Sequence, residues 1–572
     1  MKTVWGEALD KNKVLQEYPR PMLVRESYIN LNGVWKYAIT DKGENPDAFD
    51  GEIVVPFSPE CELSGVKRSV GPADTLWYER SFCLEKKKQS DRVLLNFGAV
   101  DQAATVYVNG KEAGSHTGGY TAFTLDITSL AKAENTLTVK VTDSSDTSYH
   151  SRGKQKTERG GIWYTPQSGI WQTVWLECVP CDYIKALKTT PLFDESAVEL
   201  TVNANTKGMC VFSMGGKEVY FDSDTSVRIP VENMTPWTPE NPFLYSFFVT
   251  FGEDKIESYF GMRKFSVKPD SSGCKRLFLN NEPYFHTGLL DQGYYSDGMY
   301  TPPSDEAMIF DIETAKKAGF NMLRKHIKID TMRWYYHCDR LGMLVWQDMV
   351  NGGGDYSFFT ISSPLVTGIH FNDTNYKRFA RQSAEGRAQY IRELLETIEQ
   401  LYNCVSLAMW VPFNEGWGQF DSKKVVKKIV SLDATRTIDH ASGWHDQKIG
   451  DIKSLHVYFK KYRFKKDKLK RAVILSEFGG FSYREKNDDS FNERDFGYRK
   501  FNSGEELVQA WERLYREQII PAAKKGLSAA VYTQLSDVEE ELNGLVTYDR
   551  RTVKLDCERL RKINEELKIA GR

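Results

Sequence analysis

No stretch of this 572-residue sequence is both long and apolar enough to span a bilayer as a helix. Charge of one sign is also lacking: 76 basic side chains meet 78 acidic ones, so no net field gathers a polyanion, and no basic stripe interleaved with aromatics takes its place. Neither nucleic acid nor membrane is an expected partner. Residues 1–13 meet charge at Lys2, Glu7, Asp10, Lys11 and Lys13 and never form the apolar core of a secretion signal. The nine cysteines are an odd number scattered along the chain, which is the usage of reduced thiols rather than of a disulfide framework. Both features lead to the expectation of a cytoplasmic protein. The pair Cys178-Val-Pro-Cys181 has no second CxxC or His pair at metal-ligand spacing and reads as a strand end. Internal repeats and low-complexity segments are missing too.

The chain is too long for one compact core, and with 41% hydrophobic residues it has the material for two to four domains. From residue 31 to about 180 it reads as short alternating strands, including 93–97, 105–108, 136–141 and 173–177, with Asn109-Gly110 as a hairpin turn. An all-β sandwich fits this stretch. Residues 181–268 have the length of one immunoglobulin-like sandwich, with strands at 245–251 and 256–260. The run Pro269-Asp-Ser-Ser-Gly273 punctuates the chain as a boundary. Beyond it strands alternate with helices: apolar runs at 284–290, 321–324, 343–346, 405–411, 437–440, 455–458, 473–475 and 528–532 are separated by helical segments, the longest at 382–401. Eight such units in about 300 residues predict a (β/α)8 TIM barrel, whose chemistry gathers at the C-terminal ends of the strands. The expected domains are thus 1–180, 181–270 and 271–572.

Two carboxylates follow candidate barrel strands directly: Glu415 in Ala408-Met-Trp-Val-Pro-Phe-Asn-Glu-Gly-Trp417 and Glu477 in Val473-Ile-Leu-Ser-Glu-Phe-Gly-Gly480. Hydrolysis of a glycoside needs an acid for the leaving oxygen and a second carboxylate at the anomeric carbon. Asn414 offers a neutral donor for a sugar hydroxyl, and the glycines after Glu477 are expected to let substrate approach the backbone. Either Glu alone could simply end a strand in an ion pair; both together, beside Asn, Gly and Trp, favour catalysis.

Around these residues the chain resembles the family 2 glycoside hydrolases, the group of bacterial β-galactosidases, β-glucuronidases and β-mannosidases. Tyr18-Pro-Arg-Pro, Leu31-Asn-Gly-Val-Trp35, Val55-Pro-Phe57, Trp77-Tyr-Glu-Arg80, Val106-Tyr-Val-Asn-Gly110 and Gly169-Ile-Trp-Gln-Thr-Val-Trp175 are similar to that family's N-terminal sugar-binding, jelly-roll sandwich. Asn414-Glu415 and Ser476-Glu477 resemble its acid/base and nucleophile motifs. The resemblance implies a retaining exo-β-glycosidase acting on an oligosaccharide or other glycoside, β-galactosidase-like, in which Glu415 protonates and Glu477 attacks. It implies an arginine beside the nucleophile at Arg324, and groups for nucleophile or substrate at His456 and Tyr458. Trp444, Trp417 and Tyr532 are candidate aromatic faces for a sugar ring. Asp291 and Gln292 after the first strand, and Gln534 to Asp537 after the eighth, are expected to face the sugar. Related enzymes are often dimers or tetramers, so the resemblance admits a homo-oligomer.

The choice of sugar stays open. Leu341-Gly-Met-Leu-Val-Trp-Gln-Asp348 resembles the third strand of β-mannosidase-like members. Where β-galactosidases carry Ser-His after the second-strand arginine, this chain has His326-Ile327, and a histidine three residues past the nucleophile is replaced by Gly480. The Asn-x-Lys signature of β-glucuronidases is not found after Glu477; Asn487 is followed by Asp488 and Asp489. β-Mannosidase, β-glucuronidase, arabinosidase and an inactive carbohydrate-binding protein are the alternatives. The acidic run Asp537-Val-Glu-Glu-Glu-Leu-Asn543 lacks EF-hand spacing, and His326, His440 and His456 make no convincing ligand set. No cofactor and no obligatory metal are expected.

Overall fold

The structure is a computed structural model that describes residues 1–84, 91–485 and 495–572; Asn487, Asp488 and Asp489 lie outside the described residues. No helix among those described is long and apolar enough to cross a membrane.

A first sandwich packs a four-stranded sheet, built around Arg92–Phe97 and Val174–Val179, on a six-stranded sheet that includes Gly33–Asp41, Asp74–Cys83 and Glu134–Thr142. Its core is formed by residues such as Trp35, Leu76, Val93, Leu95, Val139 and Leu176. The Leu31-to-Trp35 motif sews the two sheets together. Trp35 Nε1 donates to Leu31 O at 2.7 Å, while Asn32 accepts from Val174 N at 3.1 Å. Asn109 and Gly110 form the expected turn between Ala103–Val108 and Lys111–Thr117, both with positive φ, 52° and 76°. A second sandwich follows, with sheets of three and four strands that include Ala197–Ala204, Tyr245–Phe251 and Asp254–Phe260.

Glu177 ties the N-terminal segment to both sandwiches. Its carboxylate accepts from Tyr18 at 2.5 Å, Arg20 at 2.7 Å, Arg25 at 2.8 Å and Trp175 at 2.9 Å, and Arg25 continues to Asp254 at 2.8 Å. Burial would raise the Glu177 carboxyl, but Arg20 and Arg25 hold it down to about 2.

Beyond Pro269-Asp-Ser-Ser-Gly273, which forms the turn between Phe265–Pro269 and Lys275–Leu279, eight parallel strands form a barrel: β1 (His286–Asp291), β2 (Met322–Lys325), β3 (Leu344–Asp348), β4 (Leu407–Val411), β5 (Thr437–Ile438), β6 (Ile452–Val457), β7 (Ala472–Gly479) and β8 (Leu527–Thr533). Their order is β5-β4-β3-β2-β1-β8-β7-β6, so the ring is laddered everywhere except between β5 and β6. Strands β1 to β4, β7 and β8 are buried at every residue, as parallel strands covered on both faces must be. Beside the seam, β6 alternates buried and half-buried residues.

The first sandwich does not end at its own edge. Residues 148–168 leave it and lie across the barrel mouth, where Ser151 bridges Gly352 and Arg152 N donates to Asn351 O at 2.9 Å. The acidic run after β8 meets them there. Glu539 accepts from Arg159 at 3.1 Å and Thr165 N at 3.0 Å, Glu540 from Gly161 N at 3.1 Å, and Glu541 from the Tyr164 hydroxyl. Asp537 turns inward to Lys554 at 2.7 Å. The carboxylates of this run thus serve docking between the sandwich and the barrel.

Candidate functional site

Glu415 and Glu477 reach the same point from opposite sides of the barrel mouth. Glu415 follows β4 in the left-handed region, φ 50°, with its N–H on Ser442 O at 3.0 Å; this backbone is costly for a side chain and is held by its surroundings. Gly416 continues the turn at φ 77°, where a Cβ would lie 2.5 Å from His445 Cδ2. Glu477 sits inside β7, where the ladders to β6 and β8 slip in register. The two Glu residues and His456 each present one ligand atom within 4.8 Å of the others.

Different neighbours set the two carboxyls apart. His456 Nδ1 lies 2.7 Å from Glu415 Oε1, and its Nε2 lies 3.5 Å from Glu477 Oε1; Gly443 makes room for the ring, since a Cβ there would lie 2.4 Å from His456 Cγ. Arg324, fully buried at the end of β2, donates to Glu477 Oε1 at 3.0 Å, to Asp348 through two bonds of 2.9 Å, and to Asn414 Oδ1 at 2.8 Å. The Tyr458 hydroxyl donates to Glu477 Oε2. Burial lifts the Glu415 carboxyl above the usual range, with the negative charge of Glu477 adding to the lift. Burial would lift Glu477 as well, but His456, Arg324 and the Tyr458 hydroxyl hold it below that range. The two carboxyls are thus pushed in opposite directions, the division that an acid and a nucleophile need.

The same three side chains are the one set among the described residues whose ligand atoms lie close enough to hold a metal. The guanidinium of Arg324 already supplies beside Glu477 the positive charge a cation would bring.

Of the other residues singled out in the sequence, the structure brings Asn414, Arg324, His456 and Tyr458 to the dyad. Asn414 Nδ2 is buried without a partner, a donor left over beside Glu415. Trp444 stands 6.1 Å from the His456 ring. Trp417 packs on Trp163 at 5.1 Å and on Tyr356 at 6.5 Å, an aromatic group two residues from Glu415.

Four expectations are corrected. Asp291 is committed away from the sugar: Oδ2 binds Lys325 at 2.6 Å and Oδ1 accepts from Gly293 N at 2.8 Å. Gln292 and Gln534 bond to each other at 2.8 Å, so each has one amide atom left over rather than a free head group. Tyr532 offers no face to a sugar, because it is 1% exposed and packs edge-on against Phe478, Phe481 and Trp511. The glycines after Glu477 admit protein rings instead of substrate: a Cβ on Gly479 would lie 2.3 Å from Tyr532, and one on Gly480 2.3 Å from Tyr498.

Four more side chains of the site went unread in the sequence. Asp348, which pairs Arg324 and touches His326 Nδ1 at 2.7 Å, ends β3 and was open to the strand-end rule that found the others. Tyr498 stacks on Tyr458 at 3.7 Å, with only Gly480 as its trace in the sequence. Trp163 and the buried Lys154 come from the sandwich segment, where no local pattern marks them.

Known proteins extend this picture. Residues 64–180 match the model of the sugar binding domain of glycosyl hydrolases family 2, residues 186–263 match the family 2 model itself, and residues 299–481 match its TIM barrel domain. The chain is 27% identical over 330 residues to a putative beta-glucuronidase of Formosa agariphila, covering 52% of this chain and 38% of that protein. It is 23% identical over 449 residues to a beta-galactosidase of Thermoanaerobacter pseudethanolicus, covering 73% and 55%; the chain thus spans roughly half the length of these relatives or less. Its backbone follows a beta-glucuronidase of an uncultured Clostridium species with a TM-score of 0.74, 19% identity and coverage of 96% and 99%. A GH2 beta-galacturonidase from Eisenbergiella tayi bound to galacturonate gives 0.71, 18%, 96% and 99%. At these identities the likeness is one of fold.

Proposed function

The chain belongs to glycosyl hydrolase family 2, and from that premise we propose that it cleaves β-linked glycosides with retention, Glu415 as acid/base and Glu477 as nucleophile. The observation that carries the reading is the closeness of the two carboxylates, one oxygen of each lying within 4.8 Å of the other. Retaining enzymes hold the pair about 5–5.5 Å apart, whereas inverting ones leave about 6.5–9.5 Å for a water.

Glu415 gives its proton to the glycosidic oxygen as Glu477 Oε1 or Oε2 bonds to the anomeric carbon, and the leaving group departs as an alcohol. Arg324 and Tyr458 orient the nucleophile and stabilise its charge. The intermediate is an ester of Glu477. Glu415, now ionised and held by His456, then takes a proton from water, whose oxygen attacks the anomeric carbon and releases Glu477 as carboxylate. Asn414 Nδ2, buried and unpartnered, donates to a hydroxyl of the bound sugar. Trp163, Trp417 and Tyr356, which pack on one another two residues from Glu415 along the chain at Trp417, are candidates for the leaving-group side.

Relatives bear the names of enzymes for β-galactosides and β-glucuronides, sugars that differ at C4 and in a carboxylate at C6. The test is a panel of nitrophenyl β-glycosides followed by proton NMR of the first sugar released. A β-anomer appearing first supports the reading; an α-anomer appearing first rules out the double displacement.

A further inference from the structure

Lys154 is an unusual lysine for its position. It is 5% exposed, yet its ammonium makes one long hydrogen bond, 3.4 Å to the Tyr164 hydroxyl, one loose ion pair, 3.9 Å to Glu541 Oε2, and a contact with the Tyr164 ring at 5.1 Å from its centroid that uses none of its donors in a hydrogen bond. Glu541 is bound elsewhere, accepting from Tyr164 through Oε2 and from Asn543 at 3.0 Å through Oε1. An ammonium carries three donors, and a buried one that leaves two of them idle is costly without a partner.

The surroundings say what lies in front of it. A Cβ on the preceding Gly153 would lie 3.0 Å from Ile327 O, just past β2, and Glu541 belongs to the loop after β8. In the ring order, β1 stands between these two strands. Lys154 therefore closes the wall of the barrel mouth over β1, across from His456 and Tyr458 at the end of β6. Its place over β1, between the ends of β2 and β8, puts the idle donors at the barrel mouth and not in a distant core.

Resting on the glycosidase reading above, we propose that Lys154, delivered by the N-terminal sandwich, is a specificity residue that takes a carboxylate on the sugar itself, so that the substrate class is the β-hexuronides. An ammonium with two unused donors matches a carboxylate, which accepts several. A neutral hydroxymethyl group in the same place would leave the lysine charge with only its loose ion pair to Glu541.

The test assays wild type, Lys154→Met and Lys154→Arg on nitrophenyl β-glucuronide and β-galacturonide, beside the matching β-glucoside and β-galactoside and beside carboxyphenyl β-galactoside. Wild type should prefer hexuronides, and the methionine variant should lose that preference by about 10- to 100-fold, the range for one charged hydrogen bond, with partial rescue by arginine. A preference for neutral sugars, or a ratio unmoved by Lys154→Met, overturns the inference and leaves the glycosidase reading standing. A Lys154-dependent gain confined to carboxyphenyl galactoside moves the carboxylate to the leaving group and overturns it as stated. Should no glycoside be cleaved, the glycosidase reading falls, and melting shifts with free glucuronate and galacturonate decide the inference alone. A shift in wild type that is lost in Lys154→Met upholds it, and no shift overturns it.

Discussion

Replacing Tyr458 with Phe removes one atom from the nucleophile's surroundings and little else. The ring keeps its stack on Tyr498 at 3.7 Å, while Glu477 Oε2 loses its hydroxyl donor. A hydrogen bond to a charged group contributes about 1.5–3 kcal/mol, and the Tyr458 hydroxyl is among the groups that hold Glu477 below the usual range. The acid limb of kcat/KM should therefore move to higher pH by about one to two units. Deglycosylation suffers most, because Glu477 must leave as a carboxylate whose charge Tyr458 no longer shares. We expect kcat to fall about 10- to 100-fold, with KM falling alongside it as the ester intermediate accumulates. The assay is a pH series of steady-state rates with a stopped-flow burst. An acid limb that stays in place together with unchanged kcat would refute the part given to Tyr458.

Glu415→Gln should abolish turnover of substrates that need a protonated leaving group and raise the melting temperature at pH 7 to 8 by about 1–2 °C. A carboxyl held above its ordinary value costs stability once pH exceeds that value, so the gain should vanish under acid conditions. Glu177 has the opposite sign. Its stabilisation is complete above the ordinary value of 4.5 and is lost as pH falls toward about 2, so acid unfolding should steepen in that window, and Glu177→Gln should flatten it while costing about 3–5 kcal/mol at pH 7. Gly480→Ala places a Cβ at φ 66° and 2.3 Å from Tyr498; kinetics should show about a tenfold loss of kcat/KM through displacement of the Tyr498–Tyr458 stack. Dialysis against a chelator should leave activity unchanged, whereas loss restored by a divalent ion would make the Glu415, His456 and Glu477 set a metal site.

Most of the barrel was legible because its strands are buried on both faces and read as unbroken apolar runs, Leu407–Val411 being the clearest. Glu415 and Glu477 were legible because each stands at the end of such a run, and Arg324 through the family resemblance. The same rule misled at Asp291, where an adjacent buried lysine, Lys325, captured the carboxylate; the position of a residue on the rim does not tell which neighbour claims it. Tyr532 misled for a related reason, since alternate residues of a barrel strand point to the core. Lys154, Trp163 and Tyr498 could not be read at all. They reach the pocket through contacts between segments far apart in the chain, such as Tyr164 on Glu541, and only the docked sandwich shows them.

The central claim is that Glu477 forms a covalent bond to the sugar. Incubation with 2-deoxy-2-fluoro glycosyl fluorides of the gluco, galacto and glucurono series, followed by mass spectrometry of peptic fragments, tests it most directly. The account predicts one fluorosugar per chain on the peptide containing Glu477, and none in Glu477→Gln. A label on another carboxylate, or turnover that leaves the protein unlabelled and releases the inverted sugar, would contradict it.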